Sequence, residues 1–191
     1  MASIKGSQTE KNLLTSFAGE SQARNRYTFA AKVAGKEGYP QIERIFLETA
    51  DNERVHAHLM FAFLEGGPVE ITATYPAGKT GTTIENLEAA AAGEHEEQSI
   101  IYPKFAEIAK QEGFGDVAGM YRMIAKAETW HENRYRALLD NLKNSTQFKK
   151  STPTKWVCQK CGYIHEGLEA PGACACCKHP QKYFEVLAQN W

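Results

Sequence analysis

The feature of this chain that most constrains its fold is a pattern of acidic and histidine residues that occurs twice. Each copy has a lone glutamate followed by a Glu-x-x-His pair: Glu20 with Glu53 and His56, and Glu94 with Glu128 and His131. The lone glutamate precedes its pair by 33 residues in the first copy and by 34 in the second. Two copies at nearly equal spacing predict two related helical hairpins that place equivalent side chains in equivalent positions.

Helix geometry makes these six side chains candidates for one metal centre. Residues i and i+3 share a helix face, so each Glu-x-x-His pair can point inward. The break between the first two helices is centred near residue 37, about midway between Glu20 and Glu53, and the second hairpin is similarly balanced. Any one of these residues alone is typical of a solvated glutamate or a satisfied core histidine. The repetition favours metal, because this ligand set is that of two-metal helix bundles and cations offset the cost of burying carboxylates.

Four helices are predicted over residues 8–35, 40–65, 83–112 and 116–143. Pro103 falls inside the third of these and predicts a kink or a local bulge. The segment 66–81 can reach about 50 Å when extended, enough to run the length of a bundle. Its alternating apolar residues Val69, Ile71, Ala73 and Tyr75 predict an extended crossover packed along one side. Residues 1–146 are therefore predicted to form a four-helix bundle with one long crossover.

A second, small domain is predicted over residues 155–191, after a polar linker at 147–154 that contains Pro153. All five cysteines lie here, as Cys158-x-x-Cys161 and, 12 residues later, Cys174-Ala-Cys176-Cys177. Two such pairs indicate a tetrahedral site of four thiolates. About 40 residues bury too little apolar surface to fold unaided, and a bound metal would supply the missing stabilisation. The expected small core is Trp156, Tyr163, Phe184 and Trp191.

Two questions about this site stay open at the level of sequence. Spacing favours Cys158, Cys161, Cys174 and Cys177 as ligands with Cys176 as a spare thiol, whereas a Cys174/Cys176 pair would break the C-x-x-C geometry. Iron and zinc both accept four sulfurs in a tetrahedron, so a redox-silent zinc site is the alternative to an iron site.

Composition excludes several classes of protein. The chain is 42% hydrophobic with a net charge of −1, which suits neither a disordered chain nor a nucleic-acid-binding surface. It has no apolar run of membrane-spanning length, and its first residues lack the apolar core of a signal peptide. We therefore expect a cytoplasmic protein that binds neither nucleic acid nor membrane.

The two ligand patterns together resemble the rubrerythrin family over essentially the whole chain. Residues 1–146 resemble its ferritin-like di-iron domain, and the stretch from Trp156 to Tyr163 resembles the first knuckle of its rubredoxin-like domain. The second knuckle departs from a typical rubredoxin, because no proline follows Cys174 and no glycine follows Cys177. The resemblance implies a mainly α fold: a ferritin-like four-helix bundle followed by a small rubredoxin-like β domain.

The resemblance also implies a role for each ligand. Glu53 and Glu128 would bridge two non-haem irons, Glu20 would bind the first iron, and Glu94 and His131 would bind the second. Glu97 matches an extra glutamate of the family, and it would exchange with His56 at the first iron. Charge offers a reason, since oxidation of the pair adds positive charge and favours a carboxylate over a neutral imidazole. The alternative is that Glu97 only accepts a hydrogen bond from a ligand.

The function implied by the resemblance is a peroxidase that reduces hydrogen peroxide to water in oxidative-stress defence. Its di-iron centre would be oxo-bridged when oxidised. An external NAD(P)H-dependent reductase or a rubredoxin would supply electrons through the four-cysteine iron, and the subunits would form a head-to-tail homodimer. A ferritin-like ferroxidase and a non-enzymatic redox sensor are the alternatives.

Five further residues are candidates for minor roles. His58 and His95 are expected on solvated helix faces, and His179 is expected to have no site role. Tyr27 and Tyr102 return to the faces of ligand glutamates, so each either donates a hydrogen bond to a ligand carboxylate or is an ordinary core tyrosine.

Overall fold

Long helices form the first three quarters of the chain. A computed structural model describes residues 3–190. Its helices are α1 (Gln8–Glu37), α2 (Pro40–Phe61), α3 (Thr83–Glu96), α4 (Tyr102–Gln111) and α5 (Gly115–Lys143). Local sequence fixes several of their ends: Gly38 closes α1 with a left-handed φ of 92°, and Pro40 opens α2. At the start of α3 Thr82 and Glu85 form a reciprocal capping box.

The predicted third helix contains a bulge. A π-helical turn at Glu97–Ile101 joins α3 to α4, so the two run on as one interrupted helix. Here the Tyr102 N–H donates to the Glu97 carbonyl, five residues back. Pro103 follows at once, and because it has no N–H it cannot continue the ordinary i to i−4 ladder. The expectation of a local bulge near Pro103 is confirmed, and its position brings Glu97 to the first residue of the wide turn.

The helices pack as two hairpins, α1 with α2 and α5 with the α3–α4 pair. The segment between α2 and α3 has no helix or strand and lies against α1, where Tyr75 Oη donates to the Thr15 carbonyl at 2.7 Å. Val69, Ile71 and Tyr75 are half-buried as their alternation predicted, whereas Ala73 is exposed. The chain thereby crosses from one hairpin to the other along the side of the bundle.

Two apolar clusters lie at different levels of the bundle. One contains Tyr27, Phe46 and Tyr135, and the other contains Leu13, Met60 and Tyr121. Each of α1, α2, α3 and α5 carries one of the glutamates of the repeated pattern. In the sequence, each of these glutamates lies between a residue of one cluster and a residue of the other, as Glu20 lies between Leu13 and Tyr27. The glutamates therefore occupy a polar layer between two apolar ones.

The C-terminal domain is a three-stranded antiparallel sheet in the order β2-β1-β3. The strands are β1 (Lys149–Cys158), β2 (Ile164–Glu169) and β3 (Phe184–Val186). Most of the segment 147–154, expected to be a linker, therefore belongs to β1, because Lys149 pairs with Glu169 and Thr154 with Gly167. A polar strand that is largely exposed has the composition of a linker, which explains the difference.

The fold class predicted from the sequence is confirmed: a helical bundle followed by a small β domain. In the small core Trp156 and Phe184 are fully buried and Tyr163 packs against them, while Trp191 lies outside the described residues. Over residues 3–190, none of the helices is both long enough and apolar enough to span a bilayer.

Candidate metal centres

Glutamates and histidines from the long helices meet in the polar layer of the bundle. Their ligand atoms form two groups, each with all atoms within 4.8 Å of one another: Glu20, Glu53, His56 and Glu128; and Glu53, Glu94, Glu128 and His131. Glu53 and Glu128 belong to both groups. The four glutamates are at most 1% exposed. The structure thus brings together all six residues of the repeated pattern.

The two histidines approach the shared glutamates from either side. His56 Nδ1 lies 2.8 Å from Glu53 Oε2 and 2.9 Å from Glu128 Oε1. His131 Nδ1 lies 2.7 Å from Glu128 Oε2 and 3.2 Å from Glu53 Oε1. Each Glu-x-x-His pair therefore turns both of its side chains inward, as its spacing predicted.

Several buried ligand atoms in this layer have no hydrogen-bond partner among the described residues. They are Glu20 Oε2, Glu53 Oε1, Glu94 Oε2, both carboxylate oxygens of Glu128, and His131 Nδ1. A buried polar atom without a partner is costly, and buried polar groups in native proteins are nearly always satisfied. All of these atoms belong to the two ligand groups, so a pair of cations would satisfy them together. The residues present fit a two-metal centre.

Glu20 and Glu94 each belong to only one ligand group, and we call them the outer glutamates. Without cations, the surroundings of these two side chains disfavour their ionised form. Burial, with the neighbouring charges of Glu53 and Glu97, raises the pKa of Glu20 well above its usual range. Burial also raises the pKa of Glu94 to about 8, although the nearby imidazole of His131 opposes the shift. Without metal, Glu94 therefore tends to hold a proton at neutral pH, and the pKa of Glu20 is shifted in the same direction.

The shared glutamate Glu128 behaves in the opposite way. Burial would raise its pKa, but the adjacent imidazoles of His131 and His56 outweigh burial and lower the pKa to about 2. Burial likewise opposes the charge of the histidines, yet contacts with Glu128 and Glu53 raise the pKa of His56 to about 9 and that of His131 to about 12. Protons on the imidazoles replace part of the positive charge that metal ions would bring.

Tyrosine hydroxyls hold the two outer glutamates. Tyr102 Oη donates to Glu20 Oε1 and Tyr27 Oη donates to Glu94 Oε1, each at 2.5 Å. Each glutamate keeps its other oxygen for the centre. The ring of His131 is oriented by Asn52, whose Oδ1 lies 3.3 Å from His131 Nε2. Sequence reasoning named the tyrosines but missed Asn52, because an asparagine on a helix next to a charged residue has no distinguishing signal.

Glu97 lies outside both ligand groups. Its side chain is partly exposed and lines a cavity beside the layer. Burial and the charges of Glu94 and Glu128 raise its pKa well above the usual range. Of the two residues expected to exchange, the structure places His56 with the glutamates and leaves Glu97 apart from them.

The remaining histidines differ from one another. His58 is exposed as expected, and His95 is half-exposed with Nδ1 3.1 Å from Glu132 Oε1. His179, which was expected to have no site role, lies beside the cysteine group, with its Nδ1 3.3 Å from Cys177 Sγ. A tight turn with Lys178 at a φ of 63° folds the chain back and brings the ring to the sulfur.

Four cysteine sulfurs form the second centre. Cys158, Cys161, Cys174 and Cys177 place their Sγ atoms within 4.8 Å of one another, and Cys158–Cys177 and Cys161–Cys174 are each 3.7 Å apart. A tetrahedron with metal–sulfur bonds of about 2.3 Å has edges of about 3.8 Å, whereas a disulfide is about 2 Å long. The sulfurs are therefore spaced for a metal ion, and Cys176 is exposed outside the group.

Comparisons with known proteins agree with both centres. The sequence profile of the family described as Rubrerythrin matches residues 11–139, and that of the Rubrerythrin, rubredoxin-like domain matches residues 156–185. The chain belongs to the rubrerythrin family. Among its relatives, the rubrerythrin of Porphyromonas gingivalis is 54% identical over 189 residues, which cover 99% of this chain and 94% of that protein. The rubrerythrin of Nitratidesulfovibrio vulgaris is 52% identical over 191 residues, the whole of both chains.

A solved structure of nigerythrin in a mixed-valence state has a similar fold. It superposes with a TM-score of 0.64 at 31% identity, and the match covers 96% of this chain and 91% of that one. In this rubrerythrin-family protein the bundle thus has a ferritin-like di-iron site of carboxylates and histidines, and the small domain has a four-cysteine rubredoxin-like site. Family membership is consistent with an iron-dependent redox role.

Proposed function

We propose that this protein is a non-haem di-iron peroxidase that reduces hydrogen peroxide to water in defence against oxidative stress. The observation that carries the proposal is the presence, in one chain, of a buried carboxylate–histidine centre for two metals and of a four-thiolate site. Carboxylates suit a metal pair that is readily oxidised, whereas four thiolates suit a one-electron carrier. A protein that only stored iron would use the bundle but would have no need of the thiolate site.

The ligand groups support one assignment of roles in the bundle. Glu53 and Glu128 would be shared by the two irons, since they alone belong to both groups. Glu20 and His56 would complete the first site, and Glu94 and His131 would complete the second. In the small domain Cys158, Cys161, Cys174 and Cys177 would hold one iron.

Reduction of one peroxide molecule consumes two electrons and two protons and gives two water molecules. When bound, an iron pair would supply the two electrons. The chain's own part is to hold the pair: Tyr27 and Tyr102 each fix one oxygen of an outer glutamate. Burial of the glutamates between two apolar layers keeps bulk water from the ligands.

Exchange of Glu97 for His56 at the first iron is part of the proposal. We expect Glu97→Ala to leave iron loading nearly intact and to slow peroxide turnover, because the oxidised pair loses the carboxylate that balances its added charge. Single-turnover oxidation of the ferrous protein by peroxide measures this. Glu96→Ala is the matched control, since Glu96 is an exposed neighbour. Peroxide kinetics unchanged by Glu97→Ala would remove Glu97 from the mechanism.

A comparison of peroxide and dioxygen as oxidants of the ferrous protein tests the type of reaction. We expect peroxide to oxidise the ferrous protein much faster than dioxygen does, and we expect steady peroxide turnover when NADH and a reductase are supplied. Preference for dioxygen together with accumulation of iron mineral would support a ferroxidase instead. Absence of turnover under reducing conditions would support a purely sensory role.

The proposal includes the cellular compartment, the electron donor and the oligomeric state of the protein. None of the five cysteines forms a disulfide, which suits the reducing cytoplasm. An NAD(P)H-dependent reductase or a rubredoxin then supplies electrons to the four-cysteine iron. Exposed apolar side chains on the bundle, among them Phe61 at 54% and Trp130 at 60%, offer surface for a second copy in a head-to-tail homodimer.

A further inference from the structure

The small domain is basic, whereas the bundle is acidic. Residues 147–191 hold six lysines and three glutamates, and residues 1–146 hold 16 lysines and arginines and 20 acidic residues. The two stretches that carry the cysteines, 157–165 and 170–184, contain no acidic residue. The next residue in sequence, Glu185, forms an ion pair with Arg44 of α2 at 2.5 Å. The positive charge near the cysteines therefore has no acidic counterpart in those two stretches.

Two of these lysines lie over one aromatic ring. The Nζ atoms of Lys160 and Lys182 are 4.6 Å and 5.3 Å from the centre of the Tyr183 ring, so they lie within about 10 Å of each other. The face of a tyrosine ring attracts a cation, which helps to hold both ammonium groups there although they repel one another. Over residues 3–190 neither lysine forms an ion pair with a carboxylate. We call Lys160, Lys182 and Tyr183 the cationic face.

The cationic face adjoins the cysteine group on both knuckles. The His179 ring meets the Tyr183 ring at an angle of 87°, with the centroids 5.5 Å apart, and His179 Nδ1 lies 3.3 Å from Cys177 Sγ. On the first knuckle, Lys160 directly precedes Cys161, whose side chain is exposed. The two positive charges therefore lie beside the part of the cysteine group that solvent reaches.

The charge of a loaded cysteine site gives these cations a use. Four thiolates leave the site with a net negative charge whether it holds ferric or ferrous iron. Such a site repels an anionic partner, and the cationic face offsets the repulsion and adds attraction. Charge complementarity of this kind speeds the encounter of two proteins and orients one on the other.

The chemistry of the site selects among anionic partners. A single four-thiolate iron accepts one electron, whereas a nicotinamide nucleotide gives up two electrons as a hydride. The direct donor is therefore a one-electron carrier and not the nucleotide. The bundle of a second copy is acidic as well, but in the proposed function it receives electrons from this site and does not supply them. A small acidic redox protein meets both requirements.

We propose that the cationic face is the docking surface for an acidic one-electron carrier protein, which reduces the four-cysteine iron. In this step the carrier loses one electron and ferric iron becomes ferrous, with no bond made or broken. The inference rests on the proposed function, in which electrons enter through the small domain. It adds where they enter and the charge of the protein that brings them.

Stopped-flow reduction of the full-length, iron-loaded protein tests the proposal. The probe is reduced flavodoxin, an acidic flavoprotein that gives up electrons singly. At about 0.01 M salt, Lys160→Gln should lower the second-order rate constant about two- to fivefold, and the double variant with Lys182→Gln about four- to 25-fold, the range for exposed charge pairs. At about 1 M salt the differences should vanish, because the screening length falls from about 30 Å to about 3 Å.

Lys149→Gln is the matched control for Lys160→Gln. It removes an exposed lysine of the same domain, nine residues before Cys158 at the other end of β1. The rate constant of this variant should equal that of the parent at both salt concentrations.

Docking is also measured without electron transfer. Zinc accepts the same four thiolates and is not reduced, so the zinc-loaded full chain reports on the surface alone. Oxidised flavodoxin should shift the amide resonances of Lys160 and Tyr183, and its Kd should rise in the double variant by about the factor lost in the rate constant. Because this readout needs neither iron nor peroxide, a failed peroxidase assay leaves it interpretable.

Three results would overturn the proposal. One is a rate constant and a Kd that are unchanged in the double variant. Another is an equal loss of rate in Lys149→Gln, which would assign the effect to net charge and not to the cationic face. The third is loss of the homodimer in the double variant, measured by sedimentation, which would assign the face to a second copy.

Discussion

The two metal centres of this protein relate to their surroundings in opposite ways. The di-iron ligands lie between two apolar clusters built from side chains of all the long helices. The four cysteines lie in a domain whose buried core is Trp156, Cys158, Ala170, Cys174 and Phe184, so two of its five members are themselves ligands. In the bundle the fold creates the metal site, whereas in the small domain the metal site is a large part of what creates the fold.

The bundle and the small domain also differ in how they tolerate the loss of their metal. Without metal, the bundle retains four buried glutamates that only protons and histidines can compensate. We expect its packing to be sufficient to hold such an unfavourable cluster in place. The small domain buries too little apolar surface to do the same, so its fold depends on the metal that its thiolates bind.

Removal of one thiolate should have the largest effect. We expect Cys174→Ser to abolish the stable fold of residues 155–190, because four-thiolate binding contributes on the order of 10 kcal/mol to folding in domains of this size. Amide hydrogen exchange on the full chain should show loss of protection in β1, β2 and β3 and normal protection in α1 to α5.

Cys176→Ser is the control for that experiment, since Cys176 is exposed outside the ligand group. It should leave protection and metal content unchanged. A sheet that stays protected in metal-free Cys174→Ser would contradict the contrast between the two regions.

The second prediction concerns the pH dependence of the metal-free bundle. A carboxyl group whose pKa is raised on folding, as in Glu94 at about 8, stabilises the fold below its unfolded pKa, and this contribution is lost as pH rises through 8. His56, raised to about 9, contributes below its unfolded pKa, and its contribution is lost as pH rises through 9. The free energy of unfolding should therefore fall by a few kcal/mol, as an order of magnitude, between pH 5 and pH 9.

Thermal unfolding of the chelated protein across this range measures that slope. The iron-loaded protein is the comparison, because bound cations keep the carboxylates ionised and the imidazoles neutral. We expect it to lose little stability over the same interval. A metal-free bundle that becomes more stable as pH rises would show that the carboxyl groups are not held together as described.

The third prediction tests the hydrogen bonds to the outer glutamates. Tyr102→Phe and Tyr27→Phe should each weaken iron binding about 10- to 100-fold, the usual effect of losing a partner that orients a ligand. Competition with a chelator measures the affinity. Tyr121→Phe is the matched control, since this buried hydroxyl contacts Ser16 rather than a ligand glutamate. Equal losses in all three variants would assign the effect to packing.

The smallest effect is expected where the two regions touch. Arg44 of α2 and Glu185 of β3 form an ion pair at 2.5 Å, with the arginine side chain 53% exposed. Exposed pairs contribute about 0.2–1 kcal/mol, so Arg44→Ala should change the stability of each region by no more than that. Denaturant unfolding followed separately in the two regions checks this, and a large loss in the small domain would show that the bundle supports its fold.

Much of the fold could be predicted because the helix signals in each segment agreed with the repeat that relates the two halves of the bundle. The repeated Glu-x-x-His spacing predicted which helix faces turn inward, and the structure brings those side chains together. Pro103 predicted an irregular third helix. The form of the irregularity could not be predicted, since a kink and a wide turn both accommodate proline and tertiary packing decides between them.

Features that leave no recognisable signal in the local sequence were missed. Asn52 reaches His131 across 79 positions, and nothing in its own neighbourhood marks it. His179 reaches a ligand sulfur through a non-glycine residue in the left-handed region, a conformation that sequence rarely reveals. The first residues of strand β1 have the composition of a linker because they are largely exposed, and exposure to water selects the same polar residues as in an unstructured segment.

The most direct test of the central claim is anomalous diffraction at the iron edge from crystals of the full-length protein loaded with iron. We expect two peaks about 3.5–4 Å apart between Glu53 and Glu128, and a third peak among the four cysteine sulfurs. A single peak in the bundle, or none at the level of Glu53 and Glu128, would contradict the account.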